Sequence, residues 1–239
     1  MGLILVFDLD QTMIDSNGLS QRLQDKEHES ISKHIDEFIN LRIINTILKP
    51  AAMLRDLDKG VDYIFLLTNN SNQEYVIEIV RYLKKFIGSR KPIFDYVMIR
   101  QDSSRPQSLN PPKRLADVEY MVNKMVKKPI SYSNTDSLSK RVYFFDDITD
   151  HQIRNEIEQG HYIEIQGPDI DDKGNNMGFI AGKSDLSDYR HIEHELALNN
   201  DHIIDSQGIT SNRNTTRRTV HGGSRKRKRS IKRKTMRRK

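Results

Sequence analysis

Two aspartates one residue apart close an apolar run, Phe7-Asp8-Leu9-Asp10-Gln11-Thr12, and a second run ends Leu67-Thr68-Asn69-Asn70. A later run ends in paired acids, Phe145-Asp146-Asp147-Ile148-Thr149-Asp150, and Lys113 opens the helical segment before it. If these runs are neighbouring strands, a hydroxyl, an ammonium and the carboxylates of Asp8, Asp10, Asp146 and Asp147 converge on one sheet edge. Unpaired acids so close repel one another, and each resists ionising. A divalent cation resolves the conflict. Mg²⁺ suits it, because it takes few protein carboxylates and fills its octahedron with water and phosphate oxygens.

Such convergence needs a sheet with parallel strands. Five short apolar runs have that character: Leu3–Asp8, Asp62–Thr68, Ile93–Ile99, Val142–Asp146 and Tyr162–Ile165. Helical spacing fills the gaps. Ile43, Ile44, Ile47, Leu48, Met53, Leu54 and Leu57 predict one apolar face, with Pro50 marking a helix start inside it. Tyr75, Val76, Ile79, Val80, Leu83 and Phe86 predict another, ended by Gly88. A third helix is expected from about Lys113 to Lys128, with Leu115, Val118, Met121, Val122 and Met125 inward, and a fourth from Asp150 to Gly160. Strands alternating with helices predict an α/β doubly wound, Rossmann-like sheet, whose ligands bind at the carboxyl ends of the strands.

Three segments fall outside this alternation. Residues 14–42 predict a small helical insertion after the first strand, and residues 100–112, with three prolines, a loop. Beyond about Leu198 the chain turns polar and then basic, which predicts disorder. The expected division is a catalytic domain over 1–198 and a disordered basic tail over 199–239, with residues 170–200 left open.

The ordered motifs resemble those of the haloacid dehalogenase superfamily over roughly residues 1–165. Asp8, Asp10 and Thr12 match its DxDxT motif, Thr68 its strand-end hydroxyl, Lys113 its lysine, and Asp146-Asp147 its paired acids. Lys140 is the competitor for the lysine, but it sits just before a strand and so at the wrong edge. The resemblance implies a phosphoric monoester hydrolase in which Asp8 is the nucleophile and Asp10 the acid and base. Thr68, Asn69 and Lys113 would hold the phosphoryl oxygens. Mg²⁺ would be held by Asp8, the Asp10 carbonyl and Asp147, with Asp146 on the metal or on its waters.

Taken singly, each residue has a plainer reading. Asp8 and Asp10 could cap a turn, Asp146-Asp147 could start a helix, and Asp150 reads as a cap or a support to the site. His151, His161, His191 and His194 read as surface residues, since nothing pairs them with a cysteine or a metal-spaced acid. Phe144 and Phe145 read as core.

Charge splits the chain in two. From Arg213 onward there are 14 Lys/Arg and no Asp/Glu, which leaves 25 basic against 33 acidic residues, a charge of −8, in positions 1–212. The tail can bind phosphates without reading sequence, so nucleic acid or an import receptor is an expected partner through 213–239. Its composition is similar to tails on proteins of large eukaryotic DNA viruses, which would place the protein in a virion or host cell. Cysteine is absent, which excludes disulfides and thiolate chemistry. No apolar stretch is long enough to span a membrane, and the strand-like opening Gly2–Phe7 leaves no room for a secretion signal. An intracellular monomer, with the nucleus as an address the tail could supply, is the expectation.

Neither slot where the superfamily carries caps holds a full cap domain, which favours a phosphorylated macromolecule, protein or nucleic-acid end, as substrate. The alternatives are a small-molecule or nucleotide phosphatase with residues 14–42 as a mini-cap, and a non-catalytic, basic-tailed nucleic-acid-binding protein.

Overall fold

The computed structural model describes residues 2–24, 30–106, 108, 110–126, 135–148, 151–171, 176–179, 192 and 196. The basic tail, Asp150, His191 and His194 lie outside them. The expected parallel sheet is present. Strands β1 (Leu3–Phe7), β2 (Val61–Leu67), β3 (Tyr96–Met98), β4 (Val142–Asp146) and β5 (Tyr162–Glu164) form one five-stranded sheet in the order β3-β2-β1-β4-β5. Every pairing in it is parallel.

Period-two alternation sends successive side chains to opposite faces. Leu5, Phe7, Ile64, Leu66, Tyr143 and Phe145 join one buried cluster, while Ile4, Val6, Phe65, Leu67, Val142 and Phe144 join the other. The first is covered by α2 (Leu41–Ile43), α3 (Lys49–Asp56) and α4 (Gln73–Ile87), the second by α5 (Leu115–Met125). Helices on both faces of a parallel sheet make the fold doubly wound.

The insertion is part of the core. Its helix α1 (Ser16–Gln24) and two 3₁₀ turns, Ile31–Lys33 and Ile35–Glu37, bury Leu19 and Ile35 in the first cluster, together with Ile14 and Ile39. Among the described residues, no helix is long and apolar enough to cross a membrane.

Several expected boundaries shift, each for a local reason. Pro50 stands in the first turn of α3, as expected, but the helix does not begin afresh there: α2 runs through a π-helical stretch, Ile44–Leu48, into α3. Met53 and Leu57 are exposed, because Arg55 takes the inward position and donates to the carbonyls of Ile93 and Pro92, both at 2.8 Å. Phe86 and Met125 are also exposed. Strand β3 is shorter than its apolar run because the Asp95 carboxylate, rather than a backbone carbonyl, accepts from the Ile64 N–H at 2.8 Å. The predicted helix after Asp150 is only a 3₁₀ turn, Gln152–Asn155. Gly88, at φ 75°, closes α4 as expected. A short antiparallel strand pair, β6 (Asp169–Ile170) with β7 (Asn176–Gly178), was not foreseen. One more short helix, α6 (Thr135–Ser139), precedes β4.

Candidate active site

Three adjacent strands end in register. Phe7 pairs with Leu66 on one side and Phe145 on the other. One row further, the Asp8 N–H donates to the Phe145 carbonyl at 2.9 Å and the Thr68 N–H to Met98 at 3.0 Å. Beneath that row the rings of Phe7 and Phe145 stack at 4.6 Å. The acids therefore stand on a packed floor.

Lys113 is the centre of the cluster. It does not open α5 but lies two residues before it, 1% exposed. Its Nζ reaches Asp8 Oδ1 and Asp146 Oδ2, each at 2.8 Å. The rival Lys140 is exposed and precedes the first residue of β4, at the end of the strand opposite Asp146.

Carboxylate oxygens of Asp8, Asp146 and Asp147 lie within 4.8 Å of one another. Thr12, wholly buried, donates to Asp147 Oδ1 at 3.2 Å. The Asp10 side chain stands apart from this trio. It accepts from Asn70 Nδ2 at 3.1 Å and from Thr68 Oγ1 at 3.4 Å. Thr68 in turn accepts from the Asn70 N–H at 3.0 Å.

The side chain of Asn69 is taken up by Arg105, Asn110 and Pro111, which leaves its backbone as the part that could meet a phosphate. Its Oδ1 accepts from Arg105 Nη2 at 2.8 Å, and its Nδ2 donates to Asn110 Oδ1 and the Pro111 carbonyl. Its side chain is thus engaged with the loop, and Asn70 takes the position beside Asp10. Arg105, 3% exposed, also donates to the Thr68 carbonyl at 3.0 Å. Burial lowers its pKa, against the attraction of Asp117 and other acids. It pins the Thr68 loop from behind.

His151 contradicts its reading as a surface residue. It is 5% exposed, with Nε2 at 3.4 Å from Asp146 Oδ2. Arg105, Asn70 and His151 are the functional candidates that sequence reasoning passed over. For His151 the available signal was its position five residues after Asp146. For Arg105, in a proline-rich loop, there was none.

The electrostatics follow from the count. Asp8, Asp146 and Asp147 set three carboxylates against one ammonium, leaving two negative charges uncompensated. Burial raises the Asp8 pKa to about 8, with Asp146 adding to it and Lys113 opposing. Burial and then Asp146 raise Asp147 to about 6. Burial alone would lower Lys113, but Asp8 and Asp146 outweigh it and raise it. Without a cation, protons must make up part of the missing charge.

No protein-family model matches the chain, and no curated protein matches its sequence.

Proposed function

We propose that this protein is a Mg²⁺-dependent phosphoric monoester hydrolase of the haloacid dehalogenase type. The observation that carries the reading is the convergence of Asp8, Lys113, Asp146 and Asp147 at the carboxyl ends of β1 and β4, with Thr68 at the end of β2. An all-oxygen donor set short of two positive charges fits a hard divalent cation. Asp8, Asp147 and Asp146 would hold it, together with the Asp10 carbonyl. Bound there, it supplies positive charge to the phosphoryl oxygens.

The side chains divide the remaining work. A carboxylate oxygen of Asp8 attacks phosphorus while the bond to the leaving oxygen breaks, giving an aspartyl-phosphate. Asp10 gives its proton to that leaving oxygen. It then takes a proton from water, whose oxygen attacks phosphorus, breaks the Asp8–phosphorus bond and frees phosphate. Thr68 donates to a phosphoryl oxygen, and Lys113 holds Asp8 in line and offsets charge on the transferring group. Phosphoryl transfer is accelerated mainly by such positioning and electrostatics.

The substrate we favour is macromolecular, a phosphoprotein or a nucleic-acid end. Supporting this, the insertion commits Leu19, Ile35 and Ile39 to the core, which argues against a mobile cap.

The test is phosphate release from a generic aryl phosphate with and without Mg²⁺. Turnover should require the metal and fall at least about 1000-fold in Asp8→Asn. Metal-independent turnover, or activity surviving in Asp8→Asn, refutes the proposal.

A further inference from the structure

The backbone of Lys113 poses an accounting problem. Helix α5 begins at Leu115 with Arg114 as its N-cap, so the peptide groups of Lys113 lie outside the helical ladder. Buried backbone groups need partners. The segment after the paired acids supplies both. The Lys113 carbonyl accepts from the Ile153 N–H at 3.0 Å, and the Lys113 N–H donates to His151 Nδ1 at 3.4 Å. Glu156, five residues after His151, accepts from the Leu115 N–H at 2.6 Å. One short turn thus holds the lysine and the start of its helix.

The side chain of His151 does more than the backbone of Ile153. Because Nδ1 accepts from Lys113, the neutral ring carries its proton on Nε2. That nitrogen faces Asp146 Oδ2 at 3.4 Å, the same oxygen that takes Lys113 Nζ at 2.8 Å. The imidazole therefore touches the lysine at its backbone and touches its counter-ion at the far end.

We infer that His151 is a positioning residue: it clamps Lys113 between its own backbone and Asp146 so that the ammonium stays on Asp8. This rests on the phosphatase reading, in which Lys113 must hold Asp8 in line. The Nε2–H edge, 3.4 Å from Asp146 Oδ2 but outside hydrogen-bond geometry, puts positive potential beside that carboxylate and weakens its pull, leaving the ammonium shared with Asp8 rather than captured by Asp146. A histidine that merely filled space would be replaceable by any side chain of its volume. A clamp is not.

The test compares wild type with His151→Leu, which keeps bulk, and His151→Gln, whose amide can reach Asp146. In Mg²⁺-saturated protein with an aryl phosphate, His151→Leu should lower kcat about 10- to 100-fold, the scale of loss from small misplacement in a site. KM should stay within about twofold, and His151→Gln should recover most of the loss. The second readout needs no turnover: the ¹⁵N resonance of the Lys113 ammonium, slow to exchange because it is buried and held. It should broaden or vanish in His151→Leu and persist in His151→Gln. An unchanged Lys113 resonance in His151→Leu overturns the clamp whatever the activity, as does an unchanged kcat in a wild type that turns over. A wild type that turns over neither the aryl phosphate nor a phosphopeptide nor 3′-phosphorylated DNA, and whose resonance is nevertheless lost in His151→Leu, overturns the phosphatase reading and leaves the clamp standing. If His151→Leu does not fold, His151→Gln decides: loss of both kcat and resonance there rejects the Asp146 contact as the operative one.

Discussion

At the scale of single residues the site is governed by a shortage of positive charge. Asp8, with a pKa raised from 3.8 to about 8, and Asp147, raised to about 6, hold protons in the folded, metal-free protein that they lose on unfolding. A folded pKa above the unfolded one contributes stability that is complete below pH 3.8 and lost as pH rises through the folded value. Metal-free protein should therefore lose this contribution between about pH 4 and pH 8. Mg²⁺ held as proposed would replace the protons, so the rise in Tm on adding saturating Mg²⁺ should be larger at pH 8 than at pH 6. Thermal unfolding at the two pH values measures it, and a larger rise at pH 6 contradicts the account. The acids and Thr68 were legible in the sequence because strand-end placement is set locally, by where apolar runs stop; Lys113, which ends no strand, was legible only through the order of the motifs. His151 and Arg105 were not, because their burial depends on partners distant in the chain: Lys113 for one, Thr68 and Asn69 for the other.

Individual elements show where local preference yields to packing. In α1, Gly18 is a poor helix former, and Ala would ordinarily add about 0.5–1 kcal/mol. A Cβ there would stand 2.5 Å from Asp15 Oδ2 and 2.8 Å from the Phe38 ring. Such overpacking costs about 1–3 kcal/mol. Gly18→Ala should thus lower stability in urea unfolding, and a stabilised variant would show that the insertion is loosely packed. The apolar runs foretold all five strands of the parallel sheet and three of the four helical segments between them, since period-two and 3.6-residue patterns report burial directly. They misjudged ends where a side chain replaces a backbone partner, as Asp95 does at the start of β3. They also missed the continuous passage through Pro50. A π-helical stretch ends at Leu48, two residues before it, and no apolar spacing encodes that.

For the whole molecule the opposing charges of body and tail make a separate prediction. A body of −8 repels nucleic acid, and 14 basic residues from Arg213 onward attract it. Removing 213–239 should leave kcat on an aryl phosphate unchanged while raising KM for 3′-phosphorylated DNA. In the full chain, kcat/KM on that DNA should fall steeply with salt, as counterion release requires, and the truncated protein should show a shallower slope. Equal slopes would detach the tail from the substrate and favour a phosphoprotein.

The central claim is that Asp8 carries the phosphoryl group. Its most direct test is acid quenching during turnover of an aryl phosphate with Mg²⁺, followed by peptide mass mapping. The account predicts a hydroxylamine-labile phosphoryl group on the peptide containing Asp8, absent without Mg²⁺ and from Asp8→Asn. Turnover with no phosphoryl group on Asp8, or with one on a different side chain, would contradict it.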